Sequence, residues 1–271
     1  MSQLNMIGAA QRSGSPDLWR ALNSRWFGWL PSNRLLHQRD RVGLPPLELR
    51  SAGPLFRTDE SFCEFARRDV EAVARYSSLA GKSLLDFGCG AGRFYFGLRR
   101  RDEPAFYLGV DVRTDVITWA EQHVTAANPR FQFARSDIRN ERYNPGGALS
   151  NRDWASTVTR PFDLIQCYSV LSHLIAEDAT DVLDLFASLT KSESLIFLTA
   201  FVSEHGGDVT INPNDMGISI HGPLHVVRYR RSYFHDMLSQ NFHIVGEQAG
   251  IATDGQTLFI LRLRQPVHLN S

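Results

Sequence analysis

Cysteine is scarce in this sequence, and the three cysteines that occur lie far apart. Cys63, Cys89 and Cys167 form no CxxC pair and show no Cys/His spacing of the kind that holds a metal. An odd number of widely spaced cysteines argues against a disulfide framework and against a zinc site. We therefore expect no structural metal, and the cysteine pattern favours a reducing, cytoplasmic location.

Net charge and long apolar segments are also absent. Lys and Arg together number 29, as do Asp and Glu, so the formal net charge is zero. Nucleic-acid-binding proteins usually carry a basic excess, so no nucleic-acid partner is expected. No apolar stretch approaches the roughly 20 residues that span a bilayer, and the N-terminus lacks the pattern of a secretory signal. We therefore expect no membrane partner.

The chain has 271 residues, of which 43% are hydrophobic, enough for one large domain with an extension. We divide it into an N-terminal extension or lid, residues 1–56, and a main domain, residues 57–271, with an insertion at 203–227. Within the extension, SPDLWRALNSRWFGWL predicts a helix that Ser15 caps and that has an apolar face. That helix packs on the main domain, acts as a lid, or forms the contact of a homodimer.

From residue 59 onward, apolar strands alternate with helices. After a first amphipathic helix, strands are predicted at 83–87, 106–110, 131–134, 162–168, 195–201, 242–247 and 257–263. This alternation predicts an α/β fold with a doubly wound, mostly parallel seven-stranded sheet. The last two strands have no helix between them, so they predict an antiparallel C-terminal hairpin. Residues 139–160 are polar and contain PGG, which predicts a long loop, and SYFHDMLSQ predicts a helix that Ser232 caps.

The first strand of this sheet runs into a turn with three glycines, in LLDFGCGAGRF. Glycine has no Cβ and tolerates positive φ, so such a turn lets the backbone approach a ligand closely. Gly88 and Gly90 fit the first two positions of a dinucleotide-binding GxGxxG turn, but Arg93 stands where a small third residue is required. Asp86, just before the turn, favours a ligand with a cationic part over a pyrophosphate.

Carboxylates also follow the second and third strands. Asp111 follows Gly90 by 21 residues, and a carboxylate there can accept hydrogen bonds from both hydroxyls of a ribose. Asp137, in ARSD after the third strand, is placed to accept from an exocyclic amine. Ligands of parallel sheets bind beyond the carboxyl ends of the strands, so we expect these acids to share one site.

In this order, four motifs resemble those of the class I, Rossmann-like S-adenosylmethionine-dependent methyltransferases that act on small molecules. DFGCGAG resembles the nucleotide-binding loop of that family, and YLGVDVRTDVITWA resembles its ribose-binding acid and following helix. RSDI resembles its adenine-contacting segment, and FDLIQCYSVLSHL resembles its fourth-strand motif. The resemblance covers roughly residues 57–264.

The resemblance implies S-adenosyl-L-methionine as the cofactor. It also implies a role for each matching position. The expected contacts are Asp86, Gly88 and Gly90 at the methionine end, Asp111 at the ribose hydroxyls, Val112, Asp137 and Ile138 at the adenine, and Tyr168 and Ser169 under the sulfonium.

The acceptor of the methyl group is less defined. Transfer from a sulfonium is an in-line displacement in which the protein mainly aligns the two partners. A hydroxyl acceptor must also lose a proton, which suits a histidine whose neutral form is the active one. We select His173, after the fourth strand, and His221, in the insertion, as candidate bases, and expect activity to rise with pH through the pKa of the histidine.

Other side chains are candidates for contact with the substrate. His205 and His225 also lie in the insertion, where this family commonly builds its substrate pocket. Arg228 stands between the insertion and a helix and could meet a phosphate or carboxylate of the substrate. Arg50, just before the core, could reach the substrate or the carboxylate of the cofactor.

These features predict a cytoplasmic enzyme that methylates an oxygen atom of a small molecule, with a sugar or natural-product scaffold favoured. N-methylation of an amine or of a macromolecule is the alternative, although the Asn-Pro-aromatic signature of enzymes that methylate nucleic-acid amines is replaced by CYSV. A non-catalytic binding module is the alternative from another class. The intact glycine turn and the acids argue against that module.

Overall fold

A computed structural model describes residues 42–50, 56–98, 103–216, 219–250 and 255–264 of the chain. The helix predicted in SPDLWRALNSRWFGWL lies outside these residues, as does most of the extension at 1–56. Within the described residues, no helix is both long enough and apolar enough to cross a membrane.

Nine strands of the described residues form one sheet. In chain order they are β1 Ser83–Phe87, β2 Phe106–Asp111, β3 Phe131–Arg135, β4 Phe162–Cys167, β5 Thr190–Ser203, β6 Val209–Ile211, β7 Val227–Arg230, β8 Phe242–Gln248 and β9 Thr257–Leu263.

The first five strands are parallel and lie in the order β3, β2, β1, β4, β5. Strand β9 lies between β5 and β8 and is antiparallel to both. The predicted mostly parallel sheet with an antiparallel C-terminal pair is confirmed. The carboxyl-terminal end of β5, residues 201–203, also pairs in parallel with β7, which in turn pairs with β6.

Helices cover both faces of the sheet. They are α1 Asp59–Ala74, α2 Arg93–Gly97, α3 Thr114–Ala120, α4 Asn151–Thr157, α5 Ala176–Ser188 and α6 Arg231–Ser239. Strand β1 is buried along its whole length, and successive side chains of a strand point to opposite faces. Leu84 packs with α2 and α3 in one apolar cluster, and Leu85 packs with α5 in the other. Apolar packing on both faces therefore holds β1 and the turn that follows it in place.

The sheet has nine strands where seven were predicted, and the start of β5, one helix and one helix start also differ from the prediction. Helix α4 lies in the stretch predicted as a loop, and β6 and the start of β7 lie in the insertion. Ser150 and Asp153 form a capping box at the start of α4, a pattern visible as SNRD. Helix α6 begins one residue before Ser232, with Arg230 at the N-cap position and no side-chain cap.

Gly97 sets the distance between α1 and α2. A Cβ added at Gly97 would lie 1.9 Å from the carbonyl oxygen of Ala66. Only a residue without a side chain fits there, because backbone atoms cannot move aside as a flexible side chain can. This contact holds α2, the helix that follows the glycine turn, close against α1.

Candidate active site

A cavity of about 930 Å³ opens at the carboxyl ends of β1, β2 and β4. The glycine turn after β1, the end of β2 and residues 168–170 after β4 form one half, which we call the cofactor half. Three segments line the other half: the loop after β3, the start of α4 and the insertion. Their lining residues are Arg139, Asn140, Arg142, Tyr143, Asn151, Ser219, His221, His225 and Val226. We call this second part the acceptor half.

The glycine turn needs its glycines for two reasons. Gly88, Gly90 and Gly92 have φ of 76°, 52° and 83°, in the left-handed region that side chains disfavour. A Cβ at Gly88 would also lie 2.3 Å from Cγ2 of Val170. The backbone N–H of Gly88 donates to the carbonyl oxygen of Val110 at 2.8 Å, which attaches the turn to β2.

Asp111 is fixed against the glycine turn. Its Oδ2 accepts the N–H of Gly90 at 2.8 Å, and its Oδ1 accepts the N–H of Arg113 at 3.0 Å. Burial raises the pKa of the Asp111 carboxyl, and these two N–H donors partly oppose that rise. Each carboxylate oxygen keeps a lone pair after accepting one N–H, so two further donors can bind.

Asp86 is buried at the base of the cofactor half. The hydroxyl of Tyr107 donates to its Oδ2 at 2.5 Å. Burial raises the pKa of Asp86 to about 7, although the Tyr107 hydrogen bond and the nearby Arg93 act in the opposite direction. Gln166 on β4 is the register partner of Asp86 on β1 and also lines the cavity.

Unpartnered polar atoms are concentrated at the cavity. Among the described residues, six buried side-chain nitrogen or oxygen atoms have no hydrogen-bond partner, and four of the six belong to residues that line the cavity. Folded proteins pair nearly all such atoms, so a ligand is the expected partner here. The four atoms are Nη1 of Arg50, Nε of Arg142, Oδ1 of Asn151 and Oε1 of Gln166.

Two arginines line the side of the cofactor half. The Arg50 side chain is only 5% exposed, and its Nη2 pairs with Asp59 at 2.7 Å. Arg93 pairs with Asp69 at 2.9 Å, and its guanidinium lies 4.1 Å from the centroid of the Tyr168 ring. These partners hold both arginines in place at the cavity.

His173 lies in a short 3-10 helix after β4 and lines the acceptor half. Its Nδ1 lies 3.3 Å from the carbonyl oxygen of Leu224, and the Tyr143 ring meets its ring edge to face at 5.5 Å. Burial lowers the pKa of His173 to about 4, and the nearby Arg142 lowers it further. We assign the proton of the neutral ring to Nδ1, which donates to Leu224, so Nε2 is left as an acceptor.

His221 and His225 of the insertion also line the cavity. Nδ1 of His225 accepts the backbone N–H of His221 at 2.7 Å, and burial lowers the pKa of His225. Nη1 of Arg142 donates to the carbonyl oxygens of His221 at 3.1 Å and Pro223 at 3.3 Å. Arg142 thereby joins the loop after β3 to the insertion, across the acceptor half.

Most of the side chains selected from the sequence come together at this cavity. Those that line it are Arg50, Asp86, Gly88, Gly90, Asp111, Val112, Ile138, Tyr168, Ser169, His173, His221 and His225.

Three of the selected residues do not line the cavity: Asp137, His205 and Arg228. Asp137 accepts from Arg135 at 2.7 Å at the surface, and the preceding Ser136 lines the cavity instead. Arg228 is held by both carboxylate oxygens of Asp215 at 2.9 Å.

His205 is directed away by its own loop. Its backbone N–H donates to Oγ of Ser203 at 3.2 Å, and that hydroxyl donates back to the carbonyl oxygen of His205. The side chain is exposed. The insertion therefore contributes to the site through residues 219–226 and not through its first residues.

Sequence reasoning missed several lining residues. Gln166 had a visible signal, because a lone amide in the apolar strand FDLIQC has to be buried with a partner. Arg142 and Tyr143, in a loop, and Asn151 and Asp178, in the first turns of α4 and α5, had no such signal in the sequence. Among the described residues, no group of three or more His, Cys, Asp or Glu side chains is arranged to hold a metal ion.

Known proteins share this architecture. Residues 85–196 match a family model described as a methyltransferase domain. Magnesium protoporphyrin IX methyltransferase from Synechocystis PCC 6803, solved with S-adenosylhomocysteine, is 15% identical with a TM-score of 0.53, over 79% of this chain and 90% of that one. The match identifies residues 85–196 as a methyltransferase domain, and the likeness to solved structures shows a Rossmann-like fold.

The names of two other similar proteins differ in the atom that receives the methyl group. A glycopeptide N-methyltransferase, also solved with S-adenosylhomocysteine, has a TM-score of 0.53 at 12% identity, over 73% of this chain and 90% of that one. The ubiquinone biosynthesis O-methyltransferase of Neisseria meningitidis serogroup C is 27% identical over 130 residues, 48% of each chain. The chain spans about half the length of the curated relatives it matches.

Proposed function

We propose that this methyltransferase binds S-adenosyl-L-methionine in the cavity and methylates an oxygen atom of a small, polar molecule. The observation that carries the proposal is the placement of Asp86 and Asp111 on either side of the glycine turn, both facing one large cavity. A cationic methionine end and a ribose are the complementary groups. The names of the curated relatives support oxygen as the acceptor atom.

The cofactor half offers a partner for each part of the cofactor. The free lone pairs of Asp111 take the two ribose hydroxyls. Asp86 and the unpartnered Oε1 of Gln166 take the methionine ammonium, and the unpartnered Nη1 of Arg50 takes the methionine carboxylate. The adenine lies beside Val112, Ser136 and Ile138. A contact from Asp137 stays a prediction, and it requires Asp137 to leave Arg135.

The acceptor half favours a hydroxyl-bearing substrate. Its two unpartnered buried atoms are a donor, Nε of Arg142, and an acceptor, Oδ1 of Asn151. A hydroxyl group can both accept from one and donate to the other. Asp178 adds a carboxylate to the lining, and burial raises its pKa. A sugar or a hydroxylated natural product satisfies this lining better than a molecule with a long apolar tail.

The chain's part in the chemistry is alignment and proton removal. When bound, the cofactor supplies a methyl group on a cationic sulfur. As the acceptor oxygen attacks the methyl carbon and the carbon–sulfur bond breaks, the oxygen becomes strongly acidic, so a weak base suffices. Nε2 of His173 is the base that the geometry favours, because Nδ1 is already committed to Leu224. His221, which lines the same half, is the second candidate.

Calorimetry of S-adenosyl-L-methionine with purified wild-type protein and Asp111→Ala tests the proposal. Hydrogen bonds to a charged acceptor contribute about 1.5–3 kcal/mol each, so loss of both ribose bonds should lower the affinity of the variant by at least about 100-fold. Asp208→Ala is the matched control, since it removes an exposed carboxylate that does not line the cavity. Equal affinity of wild type and Asp111→Ala would remove the basis of the site.

The acceptor atom is tested by incubating the protein and the cofactor with a panel of sugars and hydroxylated aromatic metabolites. Mass spectrometry then identifies the methylated product. An O-methyl product supports the proposal. An N-methyl product establishes the alternative, N-methylation. Cofactor binding without transfer to any acceptor favours a binding module.

A further inference from the structure

Ser169 has an unusual backbone conformation at the edge of the cavity. Its φ is 56°, and only two other non-glycine residues of the described chain, Asn212 and Leu224, have positive φ. Ser169 is the only one of the three that lines the cavity. A residue with a Cβ disfavours this conformation, so surrounding contacts must hold it.

A closed ring of three hydrogen bonds surrounds Ser169. Its backbone N–H donates to Oγ1 of Thr199 at 2.8 Å, and the Thr199 hydroxyl lies 2.9 Å from Oε1 of Gln256. Nε2 of Gln256 donates to Oγ of Ser169 at 2.8 Å, which closes the ring. We call these three residues the Ser169 ring. Outside it, Oγ of Ser172 lies 3.0 Å from Oγ of Ser169.

The donor and the acceptor of each hydrogen bond in the Ser169 ring can be assigned from the chemistry of the groups. A backbone N–H can only donate, so Oγ1 of Thr199 accepts from Ser169 and sends its own proton to Gln256. The amide of Gln256 then accepts at Oε1 and donates at Nε2. Thr199 is 2% exposed and Gln256 is fully buried. A buried ring in which each group is satisfied is rigid, and loss of one member removes a hydrogen bond from each of its two neighbours.

The ring joins three distant parts of the chain. Ser169 follows β4, Thr199 lies within β5, and Gln256 immediately precedes β9. Neither Thr199 nor Gln256 lines the cavity. Within the described residues, the hydrogen bonds of the ring connect them to the cavity through Ser169, which lines it together with the adjoining Tyr168.

We propose that Thr199 and Gln256 are positioning residues that hold Ser169 in its left-handed conformation. In that conformation the segment of Tyr168 and Ser169 faces the sulfonium end of the cofactor. The proposal rests on the proposed function, because it takes S-adenosyl-L-methionine as the ligand of the cavity. It predicts that the ring raises cofactor affinity only when residue 169 carries a side chain, which disfavours positive φ.

A double-mutant cycle on full-length protein tests this statement. Thr199→Val keeps the shape of the side chain and removes the hydroxyl, and calorimetry should show a dissociation constant for S-adenosyl-L-methionine at least tenfold higher. Thr199→Ser keeps the hydroxyl and should stay within threefold of wild type. In a Ser169→Gly background, Thr199→Val should also cost threefold or less, because glycine adopts positive φ without support.

Ser172→Ala is the control for loss of a buried hydroxyl beside the ring, and it should leave the affinity within threefold. An equal loss of affinity from Thr199→Val in both backgrounds would overturn the proposal, since a merely structural role does not depend on residue 169. If wild-type protein fails to bind S-adenosyl-L-methionine, the proposed function itself falls.

Folding of each variant is followed by thermal unfolding and circular dichroism. If Thr199→Val does not fold, Gln256→Met gives the same comparison, because it keeps the side-chain length and removes both amide partners. Variants that fold only in the Ser169→Gly background support the proposal, since glycine removes the strain that the ring resists. Variants that fold in neither background contradict it.

Discussion

Asp86 couples cofactor binding to pH at the scale of a single residue. Burial raises the pKa of Asp86 to about 7, so below pH 7 the carboxyl is largely protonated and cannot pair with an ammonium group. The affinity for S-adenosyl-L-methionine should therefore rise as the pH goes from 6 to 8, and binding near pH 6 should release a proton. Calorimetry in two buffers of different ionisation enthalpy measures both effects.

Asp86→Asn is the matched variant for this test, because the amide keeps the shape and cannot titrate. It should bind the cofactor more weakly, and its affinity should no longer rise between pH 6 and 8. The same shift acts on folding. The folded state binds this proton more tightly than the unfolded chain, so the contribution of Asp86 to stability falls as the pH rises from about 4 to about 7. Wild-type affinity that is flat over pH 6 to 8 would contradict the assignment.

His173 changes the pH dependence expected from the sequence. A histidine with its ordinary pKa would make the rate rise between pH 6 and 8, but burial holds the pKa of His173 near 4. The ring is neutral above pH 5, so its contribution to single-turnover rates should be flat from pH 5 to 9. His173→Ala should lower turnover by about 10²–10⁴-fold and leave the cofactor affinity unchanged.

Two further variants separate the candidates for the base. His221→Ala should have a small effect if His173 takes the proton, and His205→Ala, at an exposed histidine outside the cavity, should have none. A near wild-type rate of His173→Ala would move the role to His221, or show that alignment alone carries the rate.

Gly97 gives a prediction at the scale of secondary-structure elements. Propensity alone says that Gly→Ala within a helix stabilises by about 0.5–1 kcal/mol. Here the added Cβ would lie 1.9 Å from the Ala66 carbonyl oxygen, so Gly97→Ala should instead destabilise by about 1–3 kcal/mol as α1 and α2 move apart. Urea unfolding measures the difference, with Gly43→Ala as the control, since a Cβ there meets nothing within 4 Å.

Strands and helices differed in how well the sequence predicted them. Strands β1 to β4 were placed within about one residue. Strands β1, β2 and β4 are largely buried and appear as short apolar runs, whereas β3 shows the alternation of a half-buried strand. Strand β5 begins at Thr190, five residues before the predicted start, because the charged Lys191 and Glu193 interrupt the apolar pattern. Strand β6 has three residues and α4 has seven. Such short elements depend on tertiary contacts more than on pattern, so most of them were missed.

At the scale of the whole molecule, the two halves of the cavity differ in what determines them. The cofactor half stands on strand ends, and parallel topology brings those ends to one edge, so Asp86, Asp111 and Ser169 could be expected together. The acceptor half is built from a loop and an insertion. Long-range contacts, such as that of Arg142 with the carbonyl oxygen of His221, position the acceptor half. Sequence periodicity does not predict a hydrogen bond between residues 79 positions apart.

The position of β9 has a consequence for the order in which the protein can be made. This strand is the last that the structure describes, yet it lies inside the sheet between β5 and β8. A chain still growing on the ribosome therefore keeps one edge of β5 unpaired, and Thr199 without its glutamine, until the segment around residue 263 has emerged. If the Ser169 ring positions the cofactor segment as proposed, cofactor binding requires a chain that has been synthesised through β9.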